Sequence, residues 1–363
     1  MRGMSDLQYL SAAWSATLEP GDPAGGVLWN LLGPEAGLAW MQSPVAAPLD
    51  TDINWKRLHA RTHPRASAAD PQGELRRANA LGATLITRED PDWPESLSVL
   101  GDKQPFALWI KGNPALLGAT QVAVVGARAS TAYGNRMAEE LSYEMTKAGL
   151  LVTSGGAYGI DAAAHRGALG LGGTVAVLCG GLGHLYPKGN EDLLNRIGEV
   201  GLLVSEVPPG FRPARWRFIE RNRIIAALSK VVIVVEAGVR SGARATANRA
   251  LDLGIDVGAV PGPVTSAASA GCHQLIREGA ALVSGPRDVM EMLGDTRIDE
   301  DVEVVTCDPF EQRIWDAFPS SRVATKEQLV VQSGLSERET DAALVGLSLR
   351  GAVALDAGTW RRL

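Results

Sequence analysis

The sequence predicts an α/β protein built on a doubly wound, mostly parallel sheet. Three observations carry this reading. Short β-branched runs recur at Val122–Val125, Leu150–Thr153, Thr174–Leu178, Leu202–Val204, Val231–Val235 and Val257–Val260. Continuous apolar runs of this kind suit strands buried on both faces, as in a parallel sheet. The segments between them are long enough for right-handed crossover helices. Glycine is abundant, at 41 residues, and clusters between the apolar runs, where tight strand-to-helix turns are needed. In such a sheet the ligand site lies at the C-terminal strand ends.

The flanks read differently. A chain of 363 residues suggests two or three domains. Residues 1–85 are rich in Ala, Leu and Trp, show no strong strand pattern, and predict a small helical domain. Its segment Trp55–Arg61 is basic, which a polar helix face explains well enough. Asp90-Pro91-Asp92-Trp93-Pro94 is a turn-rich boundary. Residues 295–308 are acidic and read as a linker. Beyond them, Thr325–Gln328 and Ser336–Glu339 fit the helix-start capping box. Gly334-Leu335 supplies the turn between two helices, and Val353–Leu355 with Trp360 supplies wing strands. The tail predicts a winged helix-turn-helix.

Composition limits the function classes. No 18-residue apolar stretch and no signal-like N-terminus is present, so neither a membrane span nor secretion is expected. Cys179, Cys272 and Cys307 are far apart, which argues against a disulfide framework or zinc site and fits a cytoplasmic protein. The net charge is −6, yet residues 207–249 carry nine cations: Arg212, Arg215, Arg217, Arg221, Arg223, Lys230, Arg240, Arg244 and Arg249. Only Glu220 and Glu236 oppose them. Because charge acts over a Debye length of about 8–10 Å, an acidic chain can still hold a local phosphate site. A solvated helix face is the competing explanation.

Five turns follow the strands. In Val125-Gly126-Ala127-Arg128-Ala129-Ser130-Thr131, Ser130 or Thr131 can cap the next helix, whose N-terminus favours an anion. Arg128 adds a donor fork suited to phosphate. The second turn, Ser154–Asp161, carries three glycines that allow close backbone approach to a ligand. The third is Gly180–Asn190, with Tyr186 and Lys188. The fourth is Ser205-Glu206 with the basic block that follows. The fifth is Glu236–Thr246. No G-x-G-x-x-G and no G-x-x-x-x-G-K-[ST] occurs, against a standard dinucleotide enzyme or P-loop ATPase.

The carboxylates leave alternatives. Asp161 and His165 stand four apart on one helix face and fit either a metal or acid–base pair, or a helix start with a buried histidine beneath it. No third ligand with metal-site spacing is visible, which favours the second. Asp161, Glu206 and Glu236 are acids or bases in an enzyme and partners of Arg221, Arg223 or Arg240 in a binder. Cys179 sits in an apolar run, where an inert thiol is expected. No metal or cofactor is expected.

The five turns, in this order, resemble the DNA-processing protein A (DprA/Smf) family. The segments that carry the resemblance are VVGARAST, SGGAYGIDAAAH, LGHLYPKGN, SEVPPG with RNRIIAALS, and VVEAGVRSGARATA with VPGPVTSAASAGCHQLIREGA. Asp92–Leu97 is similar to the family's lead-in, and together they cover roughly residues 90–293. Tyr158 departs from the basic residue many members carry; an aromatic there offers a stacking face instead. The resemblance implies a Rossmann-like DNA-binding domain over 90–294, after a small helical (SAM-like) domain over 1–89. An acidic linker over 295–308 and a winged-helix domain over 309–363 complete the chain. It implies single-stranded DNA binding without turnover, a homodimer formed through the Rossmann-like domain, and loading of the RecA recombinase in transformation or recombination. Carried onto this chain, the implied DNA contacts are Arg128, Ser130, Lys188, Asn190, Arg221, Asn222, Arg223, Arg240, Ser241 and Gly242.

The tail's charges balance, and its second helix begins with Glu337, Glu339 and Asp341, so protein docking and duplex binding are both open to it. The competing function is a Rossmann-like nucleotide hydrolase using Glu206 or Glu236. Its family's P-G-G-x-G-T loop is broken here by Pro261-Gly262-Pro263. A pure protein scaffold leaves the basic block unexplained.

Overall fold

The computed structural model describes residues 6–43, 52–294, 308–319, 322–356 and 358–363. It divides into two compact units, residues 1–295 and 296–363.

The first unit opens with four helices, α1 (Asp6–Thr17), α2 (Pro23–Gln42), α3 (Trp55–Ala68) and α4 (Pro71–Ala80). Asp22, Asn54 and Asp70 cap the last three by accepting from the first free backbone amides. Two strands follow, β1 (Thr84–Ile86) and β2 (Leu108–Gly112). The chain then alternates: β3 (Gln121–Val125), α5 (Ala132–Lys147), β4 (Leu151–Ser154), α6 (Ile160–Leu169), β5 (Thr174–Leu178), α7 (Glu191–Val200) and β6 (Leu202–Ser205). It continues through α8 (Arg215–Leu228), β7 (Val231–Val234), α9 (Gly242–Asp252), β8 (Asp256–Ala259), α10 (Ala270–Arg277), β9 (Ala281–Leu282) and α11 (Pro286–Met292).

These strands make one nine-stranded sheet in the order β1-β2-β6-β5-β4-β3-β7-β8-β9. Every pair from β6 to β9 is parallel, and β1–β2 and β2–β6 are antiparallel. The chain winds outward from β3 to β6, then crosses back to β7 on the other side of β3. That reversal is the switch point where the turns diverge and a crevice opens. The six apolar runs all become strands, displaced by no more than one residue, and β3 to β7 are buried along their whole length.

The helical stretch does contain a strand, contrary to its expected all-helical character: β1 lies before residue 90 and belongs to the sheet. Three residues at a sheet edge are too few to show a period. Two of the four helices, α1 and α4, also share a core with the sheet. Ala12, Ala78, Leu85 and Trp109 cluster with Ala176 and Leu203, and the buried Trp109 indole donates to Ser15 Oγ (3.3 Å).

The second unit comprises α12 (Pro309–Ala317), β10 (Val323–Ala324), α13 (Lys326–Ser333), α14 (Glu337–Leu349), β11 (Val353–Asp356) and β12 (Thr359–Arg362). Its antiparallel sheet runs β10-β12-β11, in the element order a winged helix-turn-helix uses. Both expected capping boxes form, at Thr325/Gln328 and Ser336/Glu339. Gly334 takes the left-handed conformation (φ 66°) that ends α13. Ile314, Leu329, Leu344 and Leu347 form the core. Of the acidic linker only Asp308 lies within the described residues, where it caps α12. Among the described residues, no helix is long and apolar enough to cross a membrane.

Candidate functional site

Helix α8 organises the C-terminal edge of the large sheet. Ile224, Ile225 and Leu228 are buried in the sheet core, and Arg217 and Arg221 lie on the same helical stripe, so both arginines point inward. The residues before the apolar run each reach a different turn. The guanidinium of Arg128, after β3, lies 4.8 Å from the centre of the Phe218 ring. Tyr186, after β5, meets that ring edge-on at 5.6 Å. Arg221 Nη1 donates to the carbonyls of Gly155 (2.6 Å), after β4, and of Val177. Asn222 Nδ2 donates to Gly242 O (3.4 Å), after β7. Arg223 donates through both terminal nitrogens to Glu206 (2.5 and 2.7 Å), after β6. One helix thus ties down all five turns.

Local chemistry explains the turn shapes. A side chain at Gly155 would collide with the Arg221 guanidinium. Gly159 has φ 77°, and a side chain there would run into the carbonyls of Ala127 and Arg128, so the turns after β3 and β4 cross closely. The turns after β4 and β5 are joined by Asn190, whose Nδ2 donates to Gly156 O and Ala157 O (both 3.0 Å). Gly189 N also donates to the Tyr158 hydroxyl (3.1 Å).

Asp161 and His165 build the interior. Burial pushes the Asp161 carboxyl up, while Arg221 and the amides of Ala157 and Gly155 pull it back. Burial also pushes Arg221 down, with Asp161 as its counter-charge. Thr174 Oγ1 donates to Val152 O (3.1 Å), so it accepts the proton of His165 Nδ1 at 2.7 Å. Burial, with Arg221 and Arg166 adding to it, holds His165 at about 3, leaving a neutral core imidazole. Neither residue is arranged as a metal or acid–base pair. No group of three metal-binding side chains occurs among the described residues. Cys179 and Cys272 are free, and burial raises both thiols, Cys272 to about 12. Cys307 lies outside the described residues.

The ten expected contact residues separate into two sets. Arg128, Lys188, Arg240 and Gly242 are exposed, and Ser130 and Ser241 are half-buried. Arg240 has no hydrogen bond or ion pair among the described residues, while Lys188 meets Glu191 at 2.9 Å in solvent. Ser130 donates to Asn135 (2.6 Å) and Ser241 caps α9. Asn190, Arg221, Asn222 and Arg223 are only 8, 7, 8 and 3% exposed. Their side chains hydrogen-bond to other parts of the chain and so hold the turns.

Sequence reasoning also missed Glu19. It accepts from Arg217 (2.8 and 2.9 Å), Trp216 (3.0 Å) and Arg65 (2.7 Å). Burial opposes its charge, but these donors outweigh it and hold the carboxyl at about 2. Glu19 lies some two hundred positions from its main partners, and nothing local marks it. Arg217, counted among the site cations, is thereby neutralised.

The sequence profile of the DNA recombination-mediator protein A family matches residues 84–294. The putative DNA processing protein DprA of Mycobacterium tuberculosis is 43% identical over 301 residues, 78% of this chain and 77% of that one. The chain belongs to the DprA/Smf family. The DprA structure from Streptococcus pneumoniae aligns with a TM-score of 0.63 at 33% identity, over 79% of this chain and 98% of that one. The DprA from Helicobacter pylori, described for its single-stranded DNA binding mode, aligns at 0.53 and 30% identity, over 58% and 95%. The DprA/Smf match starts on the first residue of β1 and closes two residues after α11, so it takes in the whole large sheet.

Proposed function

We propose that the edge organised by α8 binds single-stranded DNA and acts without chemical turnover. The observation that carries this is the division of labour around α8. The buried Arg221, Asn222 and Arg223, with the half-buried Phe218, hold the five turns, and Arg128, Lys188 and Arg240 are left exposed on three of them. These cations, with Ser130, Ser241 and the Gly242 backbone, take the phosphates. Tyr158, Tyr186 and Trp216, 46, 46 and 57% exposed, and the half-buried Phe218 offer faces for bases. The relative from H. pylori supports the ligand class.

The enzyme reading needs an open carboxylate. Glu206 has both oxygens on Arg223, and Glu236 is 2% exposed. The fuller role is protection of incoming or processed strands and delivery to the RecA recombinase, by a cytoplasmic homodimer joined through the large sheet's domain. The chain is organised as a helical domain, this sheet domain, an acidic linker and a winged helix.

Anisotropy of labelled oligo(dT), titrated at several salt concentrations, tests the site. Each phosphate contact contributes about 0.7 to the slope of log affinity against log salt. The single strand binds more tightly than a blunt duplex of equal length. Equal affinity for duplex, or nucleotide hydrolysis lost on Glu206→Gln, overturns the reading.

A further inference from the structure

The start of α5 was expected to receive an anion, and it already holds one. Glu236, two residues past β7, turns its carboxylate toward that helix start. Its Oε2 accepts from Thr131 N (2.9 Å) and its Oε1 from the Thr131 hydroxyl (2.5 Å). The hydroxyl oxygen in turn accepts from Gly134 N (3.1 Å), and a side chain at Gly134 would strike the Glu236 carboxylate. Glu236 also acts through its main chain, because its carbonyl accepts from Ala127 N (2.7 Å). One residue therefore clamps the turn after β3 at both ends, Ala127 and Thr131, and leaves Arg128, Ala129 and Ser130 between them. No cation pairs with this buried carboxylate among the described residues. The helix start supplies the compensating positive potential.

We infer that Glu236 is a built-in anion that positions the Arg128–Ser130 turn and denies the α5 N-terminus to free phosphate. A phosphate group must then be met outside that seat, by Arg128 and its neighbours across the edge. A single terminal phosphate finds one contact there, whereas a polynucleotide backbone finds several at once. Glu236 is thus a positioning and specificity residue, selecting a strand over a mononucleotide. The affinity part of this inference rests on the single-stranded DNA reading; the anion part does not.

The experiment uses the full chain and Glu236→Ala. Thermal melting is recorded in sodium chloride, sodium formate and sodium phosphate at equal ionic strength. The rise is scored as variant minus wild type, because phosphate stabilises folded proteins in general. The expected result is a lower melting temperature for the variant in chloride, and a gain in formate and phosphate exceeding that of wild type. Oligo(dT) affinity in chloride falls roughly tenfold, with the salt slope flatter by about 0.7, one contact's worth. Formate then restores part of that affinity, which general destabilisation would not produce. Equal anion gains in wild type and variant, or a folded variant with wild-type slope, overturn the inference. Should Glu236→Ala not fold, Glu236→Gln decides: it keeps the shape but offers one acceptor in place of two. A wild-type slope in that variant also overturns the inference. If wild type itself ignores oligo(dT), the DNA reading fails while the melting comparison still judges Glu236.

Discussion

Arg221 and Arg240 are both arginines at the C-terminal edge of one sheet, in opposite electrostatic settings. Arg221 is 7% exposed and donates to two backbone carbonyls beside the buried Asp161. Arg240 stands in solvent without a partner among the described residues. In the interior, charge interacts strongly and an unpaired ion is costly. At the surface, water and salt screen the same charge, and its donors stay free for a ligand. One layer of cations therefore holds the shape of the edge, and the other is the one proposed to meet the strand.

The largest expected effect separates these layers. Arg221→Met leaves Asp161 and two carbonyls without their partner and costs about 3–5 kcal/mol of stability, read by urea melts. A variant that keeps its stability but loses oligo(dT) would move Arg221 to the ligand side. Next comes the outer layer. Replacing Arg128, Lys188 and Arg240 together by alanine removes about 2 from the salt slope, at about 0.7 per contact. Stability changes by no more than about 0.5 kcal/mol, as for ordinary surface positions. A stably folded triple variant with wild-type affinity and slope would place the groove elsewhere.

That two-layer arrangement was only half legible. The turns could be read because Gly, Ser and Arg mark them locally, and β3 to β8 because strands buried on both faces must be apolar throughout. The burial of Arg221 was hidden by its basic neighbours, although a signal existed. Positions 217, 221, 224, 225 and 228 form one helical stripe that ends in Ile224, Ile225 and Leu228. An arginine on that stripe has to enter the core. Glu19 had no such signal, since its partners are set by tertiary packing alone. The strands β1, β2 and β9 escaped because they lie at or near the sheet's margins. There strands are short and carry mixed composition.

Smaller effects refine the picture. Tyr186→Ala weakens oligo(dT) binding by about 1–3 kcal/mol if its ring stacks on one base, with little change in salt slope. Stability responds to acid through the inner layer. His165 is held at about 3 against an ordinary 6.5, so the unfolded chain takes up its proton first as pH falls. Stability then drops below about pH 6.5, by up to roughly 1.4 kcal/mol per pH unit for this one group. Glu19, at about 2 against 4.5, stabilises fully above its ordinary value and loses that contribution as pH falls toward 2. Urea melts at pH 7, 5.5 and 4.5 follow the sum, and a flat profile would mean His165 is hydrated. The smallest effect is expected from removing residues 309–363. The exposed start of α14 presents Glu337 and Asp341, both within 4 Å of Lys326, so oligo(dT) affinity stays unchanged. A large loss would bring the second unit into the site.

The strand β2 has a consequence for the order in which the protein assembles. It reaches the sheet only through β6, with Ile110 opposite Val204, and β1 reaches it only through β2. Such distant pairing is slow to close. A chain emerging from the ribosome has completed its four N-terminal helices long before residue 204 exists. Until then Trp109, which clusters with residues of α1 and α4 and with Ala176 and Leu203, lacks part of its final surroundings. The helical start of the molecule waits on its middle, and a nascent chain paused before β6 would expose that indole to chaperones.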